Sequence, residues 1–445
     1  MHEILSLTTS VCPVCLRVIP ARRVIGDDGF IYLEKYCPDH GSFKTLIWEG
    51  SAAAYAAWRA GDQGGDTVRM AGPVRQGCPY DCGLCQAHEN NGCCVLLELT
   101  NRCNLDCPVC FASAGQAEPS DMSLADIGAL YDLLMARGGP FNIQLSGGEP
   151  TVRDDLPAII ALGREKGFTF FQLNTNGLRL AQEAGYAEKL QAAGLSCVFL
   201  QFDGLSDEVY TALRGRPLLA LKKQALENCA AAGLAVVLVP VIAAGVNLDA
   251  LGMLLRFAQR HMPCVRGIHF QPLSYFGRCS LAQTSWRLTI PRLLQEIESQ
   301  TGGQLKACDF TGGGAEHPYC SVHASYMRSD DSSLRALPRR RSQCSCVKAS
   351  EARDFVARQW NRSSCCGIDE GGPAELLETS SLDAFLAKAE ENTFTVSAMF
   401  FQDAYNLDLD RLRRCYVCEA DAERGLVPFC AYNLTGNDGK ALYRR

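Results

Sequence analysis

The chain of 445 residues lacks the long apolar runs that mark membrane proteins. No stretch approaches the roughly 18–20 consecutive apolar residues that a helix needs to span a bilayer. The first residues, MHEILSLTTSVC, also lack the basic segment and the long apolar segment of a secretory signal. These absences predict a cytoplasmic protein without a membrane span.

The chain has no excess of positive charge. Its 43 Lys and Arg against 49 Asp and Glu give a formal net charge of −6. This balance disfavours a nucleic-acid binder, which needs a basic surface against phosphates. One basic run, 339–341, is interpreted as a solvated loop, with contact to an anionic substrate or partner as the alternative. No nucleic-acid partner is expected.

Cysteine, by contrast, is abundant, with 24 residues. Disulfide scaffolds are normally short and secreted, and this chain has neither property. Many of its cysteines stand in C-x2-C and C-x3-C-x2-C groups, which are typical of zinc and iron–sulfur ligands. The cysteine content therefore predicts several metal centres and favours an anaerobic or micro-oxic host.

The N-terminal residues 1–50 contain two short turns that each carry two potential ligands. The first turn holds Cys12 and Cys15, and the second holds Cys37 and His40. Two such turns can close around one tetrahedral ion. We expect a mononuclear Zn site or a rubredoxin-like Fe site here, with a structural or electron-relay role.

From residue 95 onward, apolar runs alternate with amphipathic helical stretches. Six strands are predicted at 95–99, 141–145, 168–173, 197–202, 235–241 and 267–272. Continuous apolar runs separated by helices are typical of a parallel sheet that helices cover. The fold class is therefore α/β, and six units predict a partial (β/α)6 TIM barrel rather than a closed eight-unit barrel.

The flanking segments do not follow this pattern. Residues after 275 carry predicted helices near 290–300, 350–360 and 381–392, separated by irregular cysteine-bearing stretches. We predict four units: a metal-binding unit at 1–50, a linker with an auxiliary Fe–S segment at 51–94, the barrel at 95–275, and a C-terminal Fe–S-binding extension at 276–445.

Two cysteine triplets share the spacing C-x3-C-x2-C. One precedes the barrel and consists of Cys78, Cys82 and Cys85. The other directly follows the first predicted strand and consists of Cys103, Cys107 and Cys110. Three cysteines on one loop can hold three irons of a [4Fe–4S] cluster, so that the fourth iron stays open to a chelating ligand.

The second strand is followed by Ser-Gly-Gly-Glu-Pro at 146–150. Glycines let a backbone edge approach a ligand closely, and the neighbouring carboxylate can hold an amino group. The second triplet, closing on Phe111, together with this Gly-Gly-Glu-Pro resembles the radical S-adenosylmethionine (SAM) superfamily over about residues 95–275. The resemblance implies an enzyme that reductively cleaves SAM to methionine and a 5′-deoxyadenosyl radical.

The resemblance also implies roles for individual residues. The catalytic [4Fe–4S] cluster would be held by Cys103, Cys107 and Cys110, with a reducing partner such as ferredoxin or flavodoxin. SAM would be bound by Phe111, Gly147, Gly148, Glu149, Asn174, Asn176, Gln201, Asp203 and Gln271. For the two asparagines a turn-forming role is the alternative, and for Asp203 a helix cap or turn.

More of the chain resembles the subgroup that contains tetraether lipid synthase and the cobalamin-independent class D methylases. The matching stretches are TTSVCPVC, GCPYDCGLC, the His-Pro-x-Cys that ends at Cys320, and VPFCAYNL. A glycine-rich stretch at 309–316, where the subgroup has Pro-Cys, places the chain nearer to bacterial TrsS-like proteins. The resemblance implies auxiliary [4Fe–4S] clusters, with candidate ligands Cys78, Cys82, Cys85, Cys93, Cys94, Cys320, Cys415, Cys418 and Cys430.

The implied reaction is functionalisation of an unactivated carbon, by C–C bond formation or by transfer of a methyl or one-carbon unit. The cobalamin motif D-x-H-x-x-G is absent, which disfavours a B12-dependent methylase. A peptide-modifying maturase and a non-catalytic electron-transfer protein are the alternatives. Lipid, pterin-like and peptide substrates all remain open at this point.

Overall fold

The computed structural model describes most of the chain. The described residues are 3–59, 74–83, 85, 87–90, 92–115, 121–280, 287–313, 316–329, 333–337, 353–354, 356–357, 360 and 392–444. The predicted helix near 381–392 and the basic run 339–341 lie outside these ranges, and the helix near 350–360 falls inside them only in part. Among the described residues, no helix is both long and apolar enough to cross a bilayer.

The N-terminal unit is a four-stranded antiparallel sheet. Its strands, in sheet order, are β1 (Glu3–Val11), β2 (Val18–Ile25), β3 (Ile31–Cys37) and β4 (Gly41–Trp48). Gly29 and Gly41, both at positive φ, form the turns before and after β3, where a side chain would strain the backbone. Both cysteine turns lie at the end of this sheet that Val11 and Cys37 reach.

The remaining strands form one large sheet with short accessory pairs. They are β5 (Cys94–Glu98), β6 (Val109–Cys110), β7 (Asn142–Ser146), β8 (Phe171–Thr175), β9 (Cys197–Gln201), β10 (Ala235–Val239), β11 (Val241–Ile242), β12 (Val265–Pro272), β13 (Arg278–Cys279), β14 (Thr311–Gly312), β15 (Ser321–Arg328), β16 (Leu334–Ala336), β17 (Thr393–Met399), β18 (Val417–Asp421) and β19 (Gly425–Pro428). The sheet order is β14-β15-β17-β12-β10-β9-β8-β7-β5-β18-β19.

Helices connect the strands. They are α1 (Ala52–Arg59), α2 (Leu124–Ala136), α3 (Leu156–Glu165), α4 (Leu178–Gln182), α5 (Tyr186–Ala192), α6 (Asp207–Arg214), α7 (Leu219–Ala231), α8 (Leu251–Arg260), α9 (Ile290–Gln300), α10 (Leu409–Leu412) and α11 (Phe429–Tyr432). A short turn separates α4 from α5, and Gly185 in it has a φ of +76°.

The α/β prediction is confirmed, and all six predicted barrel strands are present as β5, β7, β8, β9, β10 and β12. The parallel part of the sheet is larger than predicted, however. β17 pairs in parallel with β12, and β18 pairs in parallel with β5, so the run from β17 to β18 contains eight parallel strands. Both extra strands come from the segment after 275, which was not expected to continue the sheet.

Strand alternation separates a helix-covered face from an inner face. Val95, Leu97, Ile143 and Leu145 belong to the main apolar core together with Leu130 of α2. Successive side chains of a strand point to opposite faces. The residues between these core positions therefore lie on the inner face.

The inner face is polar and partly accessible to solvent near the strand ends. Gln144, Asn174, Gln201 and Gln271 are half-buried there, although they stand in the middle of a parallel sheet. Ligands of such sheets bind at the carboxyl ends of the strands. The polar inner face is therefore where a substrate and cofactors would lie.

Candidate active site

The second cysteine triplet follows β5, with Cys103 and Cys107 on the loop and Cys110 at the end of β6. Cys107 is buried, and Cys103 and Cys110 are half-buried. All three pack against an apolar cluster that includes Leu105 and Tyr210 of α6. Burial raises the pKa of Cys103 to about 12 and also raises the pKa of Cys107. Thiols in such surroundings ionise readily only when bound to a metal, so the donor set fits an iron–sulfur cluster.

The Gly-Gly-Glu segment after β7 packs directly on this cysteine loop. The Gly148 N–H donates to the Thr100 carbonyl oxygen (2.7 Å), and the Glu149 N–H donates to the Arg102 carbonyl oxygen (2.9 Å). A Cβ atom on Gly147 would overlap the Thr100 oxygen, and one on Gly148 would overlap the Arg102 oxygen. Glycine is therefore required twice for close approach, and Gly147 also has a φ of +125°.

The Glu149 side chain is buried and held by hydrogen bonds. One carboxylate oxygen accepts from the Thr151 N–H (3.1 Å), the Thr151 hydroxyl (2.5 Å) and the Thr175 hydroxyl (2.6 Å). The other oxygen accepts from the Asn176 N–H (2.7 Å). A carboxylate has about four lone-pair sites on its two oxygens. The second oxygen therefore keeps capacity to accept from a cationic group.

The two predicted asparagines have different surroundings. Asn174 lies on the inner face, where its side-chain amide donates to Gln144 (3.4 Å) and its oxygen accepts from Gln172 (2.7 Å). Asn176 accepts from the Leu178 N–H (3.0 Å) and donates to Asn104 (2.7 Å). Asn176 thus makes the turn contact that the alternative predicts, while its SAM-binding role stays a prediction, and Asn174 lies on the inner face.

Gln201 is oriented by a lysine that sequence reasoning missed. Lys222 of α7 is fully buried and donates to the Gln201 side-chain oxygen (3.1 Å) and to the Asn176 carbonyl oxygen. Burial lowers the pKa of Lys222 to about 8. Because the Gln201 side-chain oxygen accepts from Lys222, the side-chain NH2 group of Gln201 points away from Lys222. A buried lysine on a helix has no sequence signal, since KK in an amphipathic helix normally lies at the surface.

Asp203 forms a buried ion pair. Its two oxygens accept from the Arg214 guanidinium (2.7 and 2.8 Å), and one of them also accepts from the Val241 N–H (2.9 Å). Asp203 is fully buried and Arg214 is 5% exposed. The Arg214 contacts lie on the cysteine-loop side of α6, so Asp203 is placed to hold Arg214.

Phe111 and Gln271 stand at the rim of the site. The Phe111 ring is 37% exposed and lies 5.7 Å from the ring of Phe429 in the C-terminal segment. The guanidinium of Arg444 lies 5.8 Å from the Phe111 ring centroid. Gln271 is on β12, where its backbone N–H donates to the Pro240 carbonyl oxygen (2.9 Å). The C-terminal segment therefore borders the site beside the cysteine loop.

The N-terminal turns bring their four potential ligands together. The ligand atoms of Cys12, Cys15, Cys37 and His40 all lie within 4.8 Å of one another. The His40 ring nitrogen Nδ1 is 3.6 Å from the Cys12 sulfur and 3.4 Å from the Cys37 sulfur. Burial would raise the pKa of Cys37, but hydrogen bonds, above all with His40, lower it to about 6. This is the donor set of a mononuclear Cys3His site.

The first cysteine triplet lies between the N-terminal sheet and the C-terminal segment. The Tyr80 hydroxyl donates to the Leu16 carbonyl oxygen (2.8 Å), beside the first metal-site turn. The Cys82 N–H donates to the Tyr443 hydroxyl (2.9 Å). A hydrogen bond with Cys82 lowers the pKa of Cys78. This loop therefore contacts both ends of the chain, and Cys82 also packs in a cluster with Leu96 of β5.

Cys93 and Cys94 are placed apart from that triplet. Their sulfurs lie 3.8 Å from each other, and both pack with Tyr416 in a small apolar cluster. Cys82, by contrast, packs in a cluster that includes Cys430. The packing thus favours Cys430 over Cys93 or Cys94 as a neighbour of the first triplet.

A third group of cysteines surrounds Arg411 of α10. Its guanidinium donates to the Cys320 sulfur (3.4 Å) and to the Tyr319 carbonyl oxygen (2.9 Å). Burial, and after it the charge of Cys320, raise the pKa of Cys415 to about 12. After burial, the charges of Cys415 and Cys320 raise the pKa of Cys430, and that of Cys415 raises the pKa of Cys418 of β18. The fold therefore brings into one region cysteines that are far apart in sequence, since Cys320 and Cys430 are separated by 110 positions.

Two family models match the chain. Residues 97–258 match the radical SAM superfamily, and residues 4–49 match the HMPTM N-terminal zinc ribbon domain. The first match covers the cysteine loop, the Gly-Gly-Glu segment and most of the strands that carry the inner-face polar residues. The second covers the four ligands of the mononuclear site.

Relatives match over different lengths. The 7,8-dihydro-6-hydroxymethylpterin dimethyltransferase of Methanocaldococcus jannaschii is 33% identical over 96% of this chain and 93% of that protein. The mycofactocin maturase MftC of Mycobacterium ulcerans is 34% identical over 40% of this chain and 47% of that protein. SuiB of Streptococcus suis, solved with S-adenosylmethionine, aligns with a TM-score of 0.40 and 15% identity, over 47% of each chain.

These findings confirm the enzyme prediction and disfavour a purely electron-carrying protein. They also confirm the cofactors, a [4Fe–4S] cluster and SAM, together with a further metal site in the ribbon. The nearer likeness to TrsS-like proteins stays a prediction. The full-length match at 33% identity extends through both matched domains. The chain therefore belongs to the radical SAM superfamily of enzymes.

Proposed function

We propose that the protein is a radical SAM methylase that adds one-carbon units to a reduced pterin or a closely similar heterocycle. The observation that carries this proposal is the relationship to a dihydropterin dimethyltransferase over nearly the whole of both chains. The maturase relative, in contrast, matches only 40% of this chain. A peptide substrate is therefore less favoured than a pterin.

The inner face of the barrel supports a planar, nitrogen-rich substrate. Its half-buried amides, Gln144 and Asn174, offer both donors and acceptors at neighbouring strands. Phe199 and His269 add flat rings at a centroid distance of 5.9 Å. Burial lowers the pKa of His269 to about 4, so this ring is neutral at physiological pH. A pterin has edges of alternating donors and acceptors and flat faces that pack on rings.

The SAM site would be divided between the strand ends. The bound cluster and SAM together supply a radical strong enough to remove hydrogen from an unactivated carbon. Cys103, Cys107 and Cys110 hold the cluster in this proposal, and a low-potential donor such as ferredoxin or flavodoxin reduces it. SAM, with its methionine part and its nucleoside part, is assigned to one set of residues at the strand ends: Gly147, Gly148, Glu149, Phe111, Asn174, Asn176, Gln201 and Gln271. Asp203 acts indirectly, through Arg214.

The four sequence units keep separate roles in this proposal. The ribbon (1–50) carries one Zn or Fe ion, and the barrel (95–275) carries the catalytic cluster. The segment 51–94 and the extension 276–445 carry auxiliary clusters, since Cys78 and Cys82 of the first triplet pack in one apolar cluster with Cys430. The candidate ligands are Cys78, Cys82, Cys85, Cys320, Cys415, Cys418 and Cys430, whereas Cys93 and Cys94 are assigned to packing beside Tyr416.

Substrate and reaction are tested together with the reconstituted, reduced enzyme. The protein is incubated anaerobically with 7,8-dihydro-6-hydroxymethylpterin, excess SAM and a methylene-carrying reduced folate, and the pterin is analysed by mass spectrometry. A one-carbon donor is needed, either a second SAM molecule or the folate, because the SAM that is cleaved to 5′-deoxyadenosine keeps its methyl group in methionine. The expected result is a pterin that has gained one or two methyl groups, with formation of 5′-deoxyadenosine. Formation of 5′-deoxyadenosine without any change in the pterin would refute the substrate, and absence of both products would refute the function.

A further inference from the structure

The Asp203–Arg214 pair lies directly behind the catalytic cysteine loop. Arg214 is the last residue of α6, and its guanidinium donates to the Val109 carbonyl oxygen (3.3 Å), between Cys107 and Cys110. The next residue, Gly215, has a φ of +81°, and a Cβ atom there would lie 3.5 Å from the Pro108 ring. The end of α6 therefore packs on the middle of the loop.

Arg214 is buried against the backbone that joins two of the cysteines. It is 5% exposed, and Val109, whose carbonyl oxygen it binds, directly precedes Cys110. The guanidinium charge therefore lies at the backbone beside a candidate cluster ligand.

The geometry of Asp203 keeps Arg214 in this position. Two of the guanidinium nitrogens are bound by Asp203 and a third by Val109, so the group cannot turn away from the loop. Arginine remains protonated at any physiological pH. The loop thus has a fixed positive charge beside one of its three cysteines, in an environment from which water is excluded.

We propose that Arg214 is a positioning residue that raises the reduction potential of the [4Fe–4S] cluster at Cys103, Cys107 and Cys110. In the step concerned, a low-potential one-electron donor is oxidised and the cluster gains that one electron, with no proton or bond changed. Hydrogen bonds to ligand sulfurs and local charge both tune cluster potentials. A cation at Val109, between two of the cluster ligands, stabilises the more negative, reduced cluster, so reduction becomes easier.

The proposal predicts opposite shifts for the two members of the ion pair. Arg214→Gln removes the positive charge and should move the midpoint potential to more negative values. Asp203→Asn keeps the arginine but removes the neighbouring negative charge, so the potential should move to more positive values. Arg214→Lys keeps the positive charge but loses the planar guanidinium. The midpoint potential of the catalytic cluster in this variant should lie between those of wild type and Arg214→Gln.

The measurement is a potentiometric titration followed by electron paramagnetic resonance. The signal of the catalytic cluster is identified as the one that changes when SAM is added, which separates it from auxiliary clusters. Arg23→Gln is the matched control, because Arg23 forms a comparable buried pair with Asp408 (Nε to carboxylate oxygen 3.1 Å) in the ribbon interface. The catalytic cluster in Arg23→Gln should have the midpoint potential of the wild type.

Two results would overturn the proposal. The first is an unchanged potential in Arg214→Gln at wild-type iron content, since this would make Arg214 purely structural. The second is a shift of the same sign and size in Arg23→Gln. If Arg214→Gln does not fold, Asp203→Asn decides the question, and a zero or negative shift in that variant would contradict the proposal.

Discussion

Substitution of Gly148 by alanine tests the close packing of the Gly-Gly-Glu segment on the cysteine loop. An added Cβ atom would overlap the Arg102 carbonyl oxygen and lie 2.9 Å from the Arg102 carbonyl carbon and 3.0 Å from the Asn101 oxygen. All of these neighbours are backbone atoms, which cannot turn away as a flexible side chain would. The two segments must therefore separate in Gly148→Ala.

The expected free-energy cost of Gly148→Ala combines weaker hydrogen bonds with steric strain. Separation weakens two backbone hydrogen bonds, from Gly148 to Thr100 and from Glu149 to Arg102. Each contributes about 0.5–1.5 kcal/mol, and overpacking adds about 1–3 kcal/mol of strain. We expect a local cost of about 2–6 kcal/mol, so SAM affinity should fall by about 30-fold or more, since 1.4 kcal/mol corresponds to about tenfold.

The assay is equilibrium binding of SAM to the cluster-loaded protein, with thermal unfolding measured in parallel. Gly128→Ala serves as the control, because Gly128 lies inside helix α2 and an added Cβ would make only an ordinary contact of 3.6 Å with Leu162. That variant should bind SAM normally and gain up to about 1 kcal/mol in stability. Wild-type SAM affinity in Gly148→Ala would refute the packing argument.

Three further predictions concern the ribbon and the C-terminal segment. Cys37→Ser should remove about one Zn or Fe ion per chain without loss of SAM-responsive cluster signal; unchanged metal content would contradict the mononuclear site. Tyr80→Phe should lower the free energy of unfolding by about 1–2 kcal/mol, because the hydroxyl donates to the Leu16 carbonyl oxygen and accepts from the Val18 N–H. An unchanged midpoint of chemical denaturation would contradict this prediction. Burial and the nearby Glu98 raise the pKa of Glu419, so Glu419→Gln should stabilise the protein more at pH 8 than at pH 5. Unfolding curves at both pH values measure this.

The sign of the Glu419 prediction follows from proton binding. Both carboxylate oxygens of Glu419 are buried without a hydrogen-bond partner among the described residues, although the neighbouring Asn433 amide partly lowers the pKa. Above a pH of about 4.5 the unfolded state releases a proton that the folded state retains, so wild-type stability falls with rising pH, by at most about 1.4 kcal/mol per pH unit. Glutamine has no such proton. A stability difference independent of pH would contradict the assignment.

The barrel was predictable because its local signals agree with its packing. The strands around Leu97 and Leu145 are continuous apolar runs, and Ser123 with Asp126 forms the capping box expected at the start of α2. The four ligands of the ribbon site were also predictable, because two close pairs on short turns leave few arrangements for one ion. In both cases the decisive contacts are local in sequence.

The parts that were missed depend on long-range contacts. β18 pairs with β5 although more than 300 residues separate them, and its sequence VCEAD has neither the length nor the alternation of a clear strand. Arg214 and Lys222 are buried only because α6 and α7 pack against the cysteine loop and the strand ends. Charged residues on helices are normally exposed, so their sequence gives no sign of this burial.

The central claim is that two triplets of identical spacing do different work. The triplet at 103–110 packs against the Gly-Gly-Glu segment, whereas the triplet at 78–85 contacts the ribbon and Tyr443. The most direct test is formation of 5′-deoxyadenosine by reduced Cys103→Ala and Cys78→Ala proteins with SAM. We predict that Cys103→Ala forms none and that Cys78→Ala cleaves SAM but does not methylate the pterin. SAM cleavage by Cys103→Ala, or its loss in Cys78→Ala at full occupancy of the catalytic cluster, would contradict the account.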